Sequence, residues 1–347
     1  MTEFRGVLIG CGFFARNHMH AWADIPGVRI VAVCDTDLGK AEVFARDFGA
    51  AAYTDAATML AAVQPDFADI ATTVASHRAL VELAARHARV VICQKPFAET
   101  YADGRAMVAA CDAAGTTLLV HENFRRQAPI RALKAALDRG DVGPLRHMRL
   151  SFRHAYDIYA NQPYLAQVPD LALTDIGLHL FDIARHLAGD VATVACLTQR
   201  RNPAVSGKDA FTALLRHADG TTSVVDASFH SHLSPDPFPQ TLATLEADGG
   251  TLELTQGYRL RLHRGGTVAE TDVEPPVPVW GAKPWHGIQD SVTAFEGHVA
   301  EVLAARALPQ PSGAHNLETL AVTLAAIRAS LSGETVDMGA FLAAGCV

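Results

Sequence analysis

Gly10-Cys11-Gly12-Phe13-Phe14-Ala15 constrains this chain more than any other stretch. It follows a short apolar run, Val7–Ile9, and opens a helix-like segment, so it reads as a G-x-G-x-x-A turn between strand and helix. The first glycine allows the tight turn, the second leaves the backbone bare for a pyrophosphate, and the small alanine lets helix and strand pack closely. Helix N-terminal amides then face the phosphate charge. Asp35 stands 20 residues beyond Ala15, at the end of a second apolar run, Val28–Cys34. A carboxylate there accepts hydrogen bonds from ribose hydroxyls. Motif, order and spacing together predict a dinucleotide site. NAD is preferred over NADP, because Asp35 repels a 2′-phosphate and is followed by Thr36 and Asp37 rather than an arginine.

The surrounding periodicity supplies the fold such a turn requires. Phe67–Ala71, Val90–Cys93 and Thr116–Val120 are further continuous apolar runs, as expected of parallel strands buried on both faces. Helix-length stretches separate them: Ala41, Phe44, Ala45 and Phe48 form one stripe, and Asp55–Val63, Ser76–His87 and Thr100–Ala114 read alike, with Gly49 and Gly115 placed as C-caps. After about residue 122 the period changes. A helix over Ala128–Arg139 leads into a strand whose Met148, Leu150 and Phe152 face one way and His147, Arg149, Ser151 and Arg153 the other. Alternating runs follow at 191–199, 211–216, 222–229, 241–245, 251–254 and 259–262, with turn signals at Asp219-Gly220 and Asp248-Gly249-Gly250. Two helices close the chain, the last with Leu317, Leu320, Leu324, Ile327 and Leu331 on one side. The expected architecture is α/β: a doubly wound parallel Rossmann domain over 1–122, then an α+β domain over 123–347 with a large, mostly antiparallel open sheet.

Other patterns narrow the chemistry. A formal charge of −8 argues against nucleic acid as partner, and no apolar run is long enough to span a membrane. Six cysteines without a C-x-x-C pair, and a start without a signal-peptide pattern, fit a cytoplasmic protein. No metal is expected, since His18, His20, His230 and His232 make no ligand spacing with carboxylates. Lys95 follows the strand Val90–Cys93, at the sheet edge where α/β proteins bind ligands. It suits polarisation of a substrate oxygen, and equally a solvated loop. Thr174 is placed to cap a helix on which Asp175 and His179 share a face, a pairing that suits an oriented acid/base and also the wet side of an amphipathic helix.

Together these elements resemble the glucose-fructose oxidoreductase/inositol dehydrogenase/rhizopine catabolism (Gfo/Idh/MocA) family. The resemblance spans essentially the whole chain and includes His121-Glu122-Asn123-Phe124-Arg125-Arg126, which is similar to the family's N-x-R segment, and Pro311-Ser312-Gly313. It implies an NAD-dependent oxidoreductase moving a hydride between a secondary alcohol of a sugar, sugar acid or cyclitol and nicotinamide. Lys95, Asp175 and His179 match the family's catalytic residues. Cofactor contacts are expected from Gly10, Gly12, Phe13, Phe14, Ala15, Asp35, Thr72, His77, Gln94 and Lys95, and substrate contacts from Lys95, Asn123, Arg125, Arg153, Asp175 and His179. The family's usual E-K-P is Q-K-P here, with Gln94 in place of the acid. The resemblance also implies a homodimer or homotetramer formed through the second domain. Relatives include NAD-dependent glycoside hydrolases with transient oxidation and non-catalytic dinucleotide-binding regulators, which are the alternative readings.

Overall fold

The computed structural model describes residues 3–346. The chain forms two compact units: one takes the chain up to Asn123 together with Val292–Leu320, the other takes Phe124–Ser291 and the chain from Ala321 onward. In the first unit β1 (Phe4–Ile9), β2 (Val28–Cys34), β3 (Ala51–Tyr53), β4 (Phe67–Ile70), β5 (Val90–Gln94) and β6 (Thr117–His121) make one parallel sheet in the order 3-2-1-4-5-6. The connecting helices are α1 (Ala15–Asp24), α2 (Leu38–Phe48), α3 (Ala56–Val63), α4 (His77–Ala84) and α5 (Tyr101–Ala114). Their ends have local causes. Asp55 and Thr100 accept main-chain N–H groups of Thr58 and Asp103, and Gly49 and Gly115 terminate their helices with φ of 68°. Strand order reverses beside β1, which places the Gly10 turn at the switch point where such sheets bind ligands.

The core of this unit explains why the chain returns to it. Leu8, Val33, Phe67, Ile92 and Leu119 of the sheet cluster with Met19 and Trp22 of α1 and with Phe295, Val299 and Leu303. Each such fully buried side chain contributes roughly 1.5–3 kcal/mol, so the last three are a substantial part of the unit's stability. A single division at 122/123 leaves out this return. Segment 292–320 follows all but the last short strand of the second sheet in sequence, and nothing in its own pattern says which core it completes.

The second unit holds α6 (Ala128–Asp138), β7 (Leu145–Arg153), α7 (Leu178–Ala188), β8 (Val191–Gln199), β9 (Ala210–His217), β10 (Thr222–Ser228), β11 (Leu242–Ala247), β12 (Gly250–Thr255), β13 (Arg259–Arg264) and β14 (Thr267–Asp272). Later come α8 (His286–Leu303), α9 (Gly313–Ser332), β15 (Val336–Asp337) and α10 (Met338–Ala343); the unit boundaries at 292 and 320 fall within α8 and α9. The sheet runs 14-13-12-11-7-10-9-8-15 and is antiparallel except where β7 and β10 pair in parallel. Met148, Leu150 and Phe152 are buried, as their alternation predicts. Strand β14 is exposed throughout, so it carries no burial pattern to read. In α9 the expected leucine stripe is only partly correct: Leu331 is 69% exposed, while Ala321, Ala325, Ala326 and Ala329 are buried. Small side chains carry that face.

Candidate active site

The dinucleotide end is built from main chain. Gly10 has φ of +100°, and a Cβ there would lie 2.6 Å from the Ala71 carbonyl oxygen, so only glycine fits. Its N–H donates to the Cys34 carbonyl (2.7 Å). Asp35 is fixed in the same turn: Oδ2 accepts the Cys11 N–H (2.8 Å) and Oδ1 the Asp37 N–H (2.9 Å). Each oxygen keeps acceptor capacity for a ribose hydroxyl. Gly12 has open space where a Cβ would be and Phe13 is exposed, while Phe14 turns inward against His18 and Ala15 is buried. Beside Asp35 a cleft of about 340 Å³ is lined by Cys11, Asp37, Gly39, Lys40, Val43 and Phe44, a volume suited to a nucleoside. The turn and the anchored acid therefore fit the adenosine half of NAD.

Lys40 in that lining is a cation that the residues next to Asp35 do not announce. It gives the cofactor preference a sharper form. A carboxylate against a 2′-phosphate costs several kcal/mol, so kcat/KM favours NAD by about two orders of magnitude or more. Asp35→Ser removes the repulsion and leaves Lys40, narrowing the ratio at least about tenfold. Steady-state kinetics with both cofactors measures this, and an unmutated protein that prefers NADP would contradict it.

After β4, the Thr72 hydroxyl accepts from Ser76 Oγ (2.8 Å), and His77 is fully buried between the carbonyls of Thr72 (Nε2, 3.2 Å) and Phe97 (Nδ1, 3.3 Å). His77 was expected at the cofactor; its ring nitrogens instead brace the loop after β4 against the loop after β5. Burial also lowers its pKa. Gln94 ends β5 with its Oε1 accepting the Lys95 N–H (2.6 Å), and Lys95 itself is half-buried.

In the second unit Asp175 lies in a π-helical turn, Ala172–Gly177, that runs directly into α7. Helical backbone therefore begins before Thr174. Thr174 is not the cap: its hydroxyl donates to the Asp170 carbonyl (3.1 Å). His179 is consequently beyond the first turn, where a helix dipole is strongest. A wide turn of this kind is common at functional sites. Gly177 makes room for it, since a Cβ would sit 3.1 Å from both the Ala172 carbonyl and the Phe211 ring. The His179 imidazole is buried and stacks on Phe124 with centroids 3.9 Å apart and planes 7° from parallel. The N-x-R segment thus orients His179, with Asn123 also buried.

Two expected substrate contacts are placed elsewhere. Arg125 is buried and bidentate to Asp182 of α7, Nε to Oδ2 at 2.6 Å and Nη2 to Oδ1 at 2.5 Å. Arg153 lies on the face of β7 opposite Phe152, and its Nη1 donates to Asp226 (2.8 Å), which also accepts from Arg149 and Ser151. Both arginines serve as internal ties. Conversely, Asp175 has neighbours that its own stretch does not reveal. It acts on the charge state of His154 and of Tyr159, whose hydroxyl is pushed up to about 12 by burial and then by Asp209 and Asp175.

His154 sits among Phe152, Phe229 and Phe238, and burial pushes its pKa down to about 4 against the pull of Asp236 and Asp175. Burial likewise lowers His186 to about 4. An unfolded histidine near 6.5 takes its proton first, so this contribution is complete above about 6.5 and is lost as pH falls toward 4. By pH 4 the loss is on the order of 2–3 kcal/mol for each ring. Urea midpoints should fall through that window, and His154→Phe should flatten the fall. A midpoint independent of pH from 7 to about 4.5 would contradict this.

The parallel sheet order, the glycine turn and the anchored acid define an NAD-binding oxidoreductase fold, here followed by a second unit with a large open sheet. A family model described as an oxidoreductase family with an NAD-binding Rossmann fold matches residues 4–122, and the GFO/IDH/MocA C-terminal domain matches 130–251. The chain is 46% identical to a D-apiose dehydrogenase of Rhizobium rhizogenes over 99% of both chains. It is 49% identical to one of Paraburkholderia graminis, over 97% of this chain and 90% of that one. A crystal structure of an oxidoreductase from Agrobacterium radiobacter in complex with NAD+, L-tartaric acid and magnesium superposes with a TM-score of 0.96 at 46% identity, covering 98% of this chain and all of the other. The chain belongs to the Gfo/Idh/MocA family, and it is an NAD-dependent dehydrogenase.

Proposed function

We propose that its substrate is D-apiose or a closely similar branched aldose. The observation that carries this is 46–49% identity, across essentially the whole chain, to two D-apiose dehydrogenases. NAD, held at the Gly10–Ala15 turn and Asp35, supplies the hydride acceptor. In this reading His179, its ring plane set by Phe124, takes the hydroxyl proton, a task for which imidazole is the commonest side chain. Lys95 holds the same oxygen as a cation and stabilises its developing negative charge. Asp175 orients His179 and the substrate, and Asn123 binds a substrate hydroxyl. Arg125 and Arg153 are left out, since Asp182 and Asp226 occupy them.

The assembly is a homodimer or homotetramer formed through the second unit, whose sheet exposes Leu197 and Leu214 at 72% and 56%. No helix among the described residues is long and apolar enough to cross a membrane. The cysteines among those residues are free thiols, in keeping with a cytoplasmic home. NADH formation with D-apiose, other aldoses, aldonates and inositols tests the substrate. D-apiose should give the highest kcat/KM. Turnover of an inositol with none of D-apiose would overturn the assignment, and turnover without net NADH would point to the redox-neutral hydrolase.

A further inference from the structure

Behind Lys95, within the first unit, lies a buried polar cluster that the roles above do not use. Gln94 Nε2 is 3.0 Å from His18 Nε2. His18 Nδ1 is 2.9 Å from Asp69 Oδ2, which also accepts the Trp22 indole N–H (2.9 Å). Glu296 Oε1 is 3.4 Å from His18 Nδ1 and 3.7 Å from His121 Nε2, and the His121 ring stacks on His18 at 4.0 Å. Thus α1 supplies His18 and Trp22, β4 Asp69, β5 Gln94, β6 His121 and α8 Glu296, while Phe14, just ahead of α1, lies edge-on to His18. Burial, and then Asp69, pushes the Glu296 carboxyl well up.

The donors and acceptors permit one arrangement. The Lys95 N–H only donates, so Gln94 must present Oε1 to it, and its amide nitrogen then faces His18. That nitrogen also only donates, so His18 Nε2 must be a bare lone pair. The His18 proton therefore sits on Nδ1 and is donated to Asp69.

We propose that His18, as the neutral Nδ1–H tautomer, is a positioning residue for hydride transfer, acting through Gln94 on the Lys95 main chain. This rests on the reading of Lys95 as the ligand of the substrate oxygen. Asp69 and Trp22 hold one end of the relay, and Gln94 passes the orientation to the residue that carries the charge. A displacement of about 1 Å at a reacting group costs around 10²-fold, which sets the scale of the effect. Glutamine matters here because it donates to His18. A glutamate at 94 would face the lone pair with a carboxylate and draw a proton onto Nε2, leaving an imidazolium between two acids. His18, His121 and Glu296 also bring three potential ligand atoms within 4.8 Å of one another. A cation beside Glu296 needs His18 Nδ1 bare, which is the nitrogen that carries the proton.

Ring-¹⁵N-histidine spectra of the whole enzyme test the tautomer directly. The expected result is a ring for His18 with its proton on Nδ1 and a bare Nε2. In kinetics, His18→Phe lowers kcat about 10–100-fold with the KM for NAD little changed, and His18→Gln, whose amide both accepts and donates, restores most of it. Gln94→Glu introduces a downward alkaline step in kcat/KM as His18 loses its added proton, and His18→Gln in that background removes the step. An Nε2–H or charged His18 at neutral pH, a Gln94→Glu profile without the step, or stoichiometric metal on elemental analysis would overturn the proposal. So would a His18→Phe enzyme with full kcat while Lys95→Ala is inactive. Full activity in Lys95→Ala would instead defeat the reading of Lys95, and would leave the His18 tautomer and its response to Gln94→Glu as measured.

Discussion

His179→Ala should lower kcat by about 10²–10⁴-fold, or roughly 3–5 kcal/mol of transition-state stabilisation, while NAD binding stays nearly intact. In the proposed reading the cofactor's adenosine half meets the Gly10 turn and Asp35, which are anchored by their own main-chain hydrogen bonds. What the variant loses, in the proposed mechanism, is the proton acceptor, a ring whose plane is fixed by a parallel stack on Phe124. The acid limb of the kcat/KM profile reports the base in the free enzyme, so it should vanish or move. Asp175→Asn should be milder, because an amide preserves shape and part of the hydrogen bonding. Isothermal titration with NAD and a full pH-rate profile separate these effects. Near-full turnover with an unchanged profile would remove His179 from the chemistry and pass the base role to Lys95.

Arg125→Met should be the most damaging change to stability, costing about 3–5 kcal/mol and lowering Tm by roughly 10 °C. The guanidinium is bidentate to Asp182 and both side chains are buried, so the variant strands a carboxylate away from water. Asp182→Leu in the same chain should recover much of the loss, since an apolar pair needs no desolvation of charge. Arg125 adjoins Phe124, so kcat should fall as well. An arginine that met the substrate would behave differently: KM would rise with Tm unchanged. That pattern would restore Arg125 to the substrate site.

Legibility tracked the distance over which each signal operates. The Gly10 turn, Asp35 and the caps at Gly49 and Gly115 are set by neighbours a few residues away, and the period of two in β7 by the faces of one sheet. All were readable. Strand β3 is three residues long and β14 is exposed throughout, so neither left a pattern. The candidate site divided along the same line. Asp175 and His179 are one turn apart and were found together. Arg125 and Asp182 are 57 residues apart, and Arg153 meets Asp226 across a parallel pair whose register no local rule predicts. The cluster behind Lys95 drew residues from α1, β4, β5, β6 and α8. Its only local traces were an aspartate inside the apolar run Phe67–Ile70 and a histidine on the buried side of α1 beside Met19 and Trp22.

The late return of Val292–Leu320 to the first unit bears on how the chain is made. Strands β1 to β6 leave the ribosome long before Phe295, Val299 and Leu303 exist. At ~5–20 residues per second the wait is on the order of ten to thirty seconds. During it the cluster around Trp22, Phe67 and Leu119 lacks only its late members Phe295, Val299 and Leu303, and the apolar surface they cover is open to wrong contacts. The order of synthesis therefore runs against the order of completion: the half that begins first is finished nearly last, and a nascent chain stalled before residue 292 holds no complete core for it.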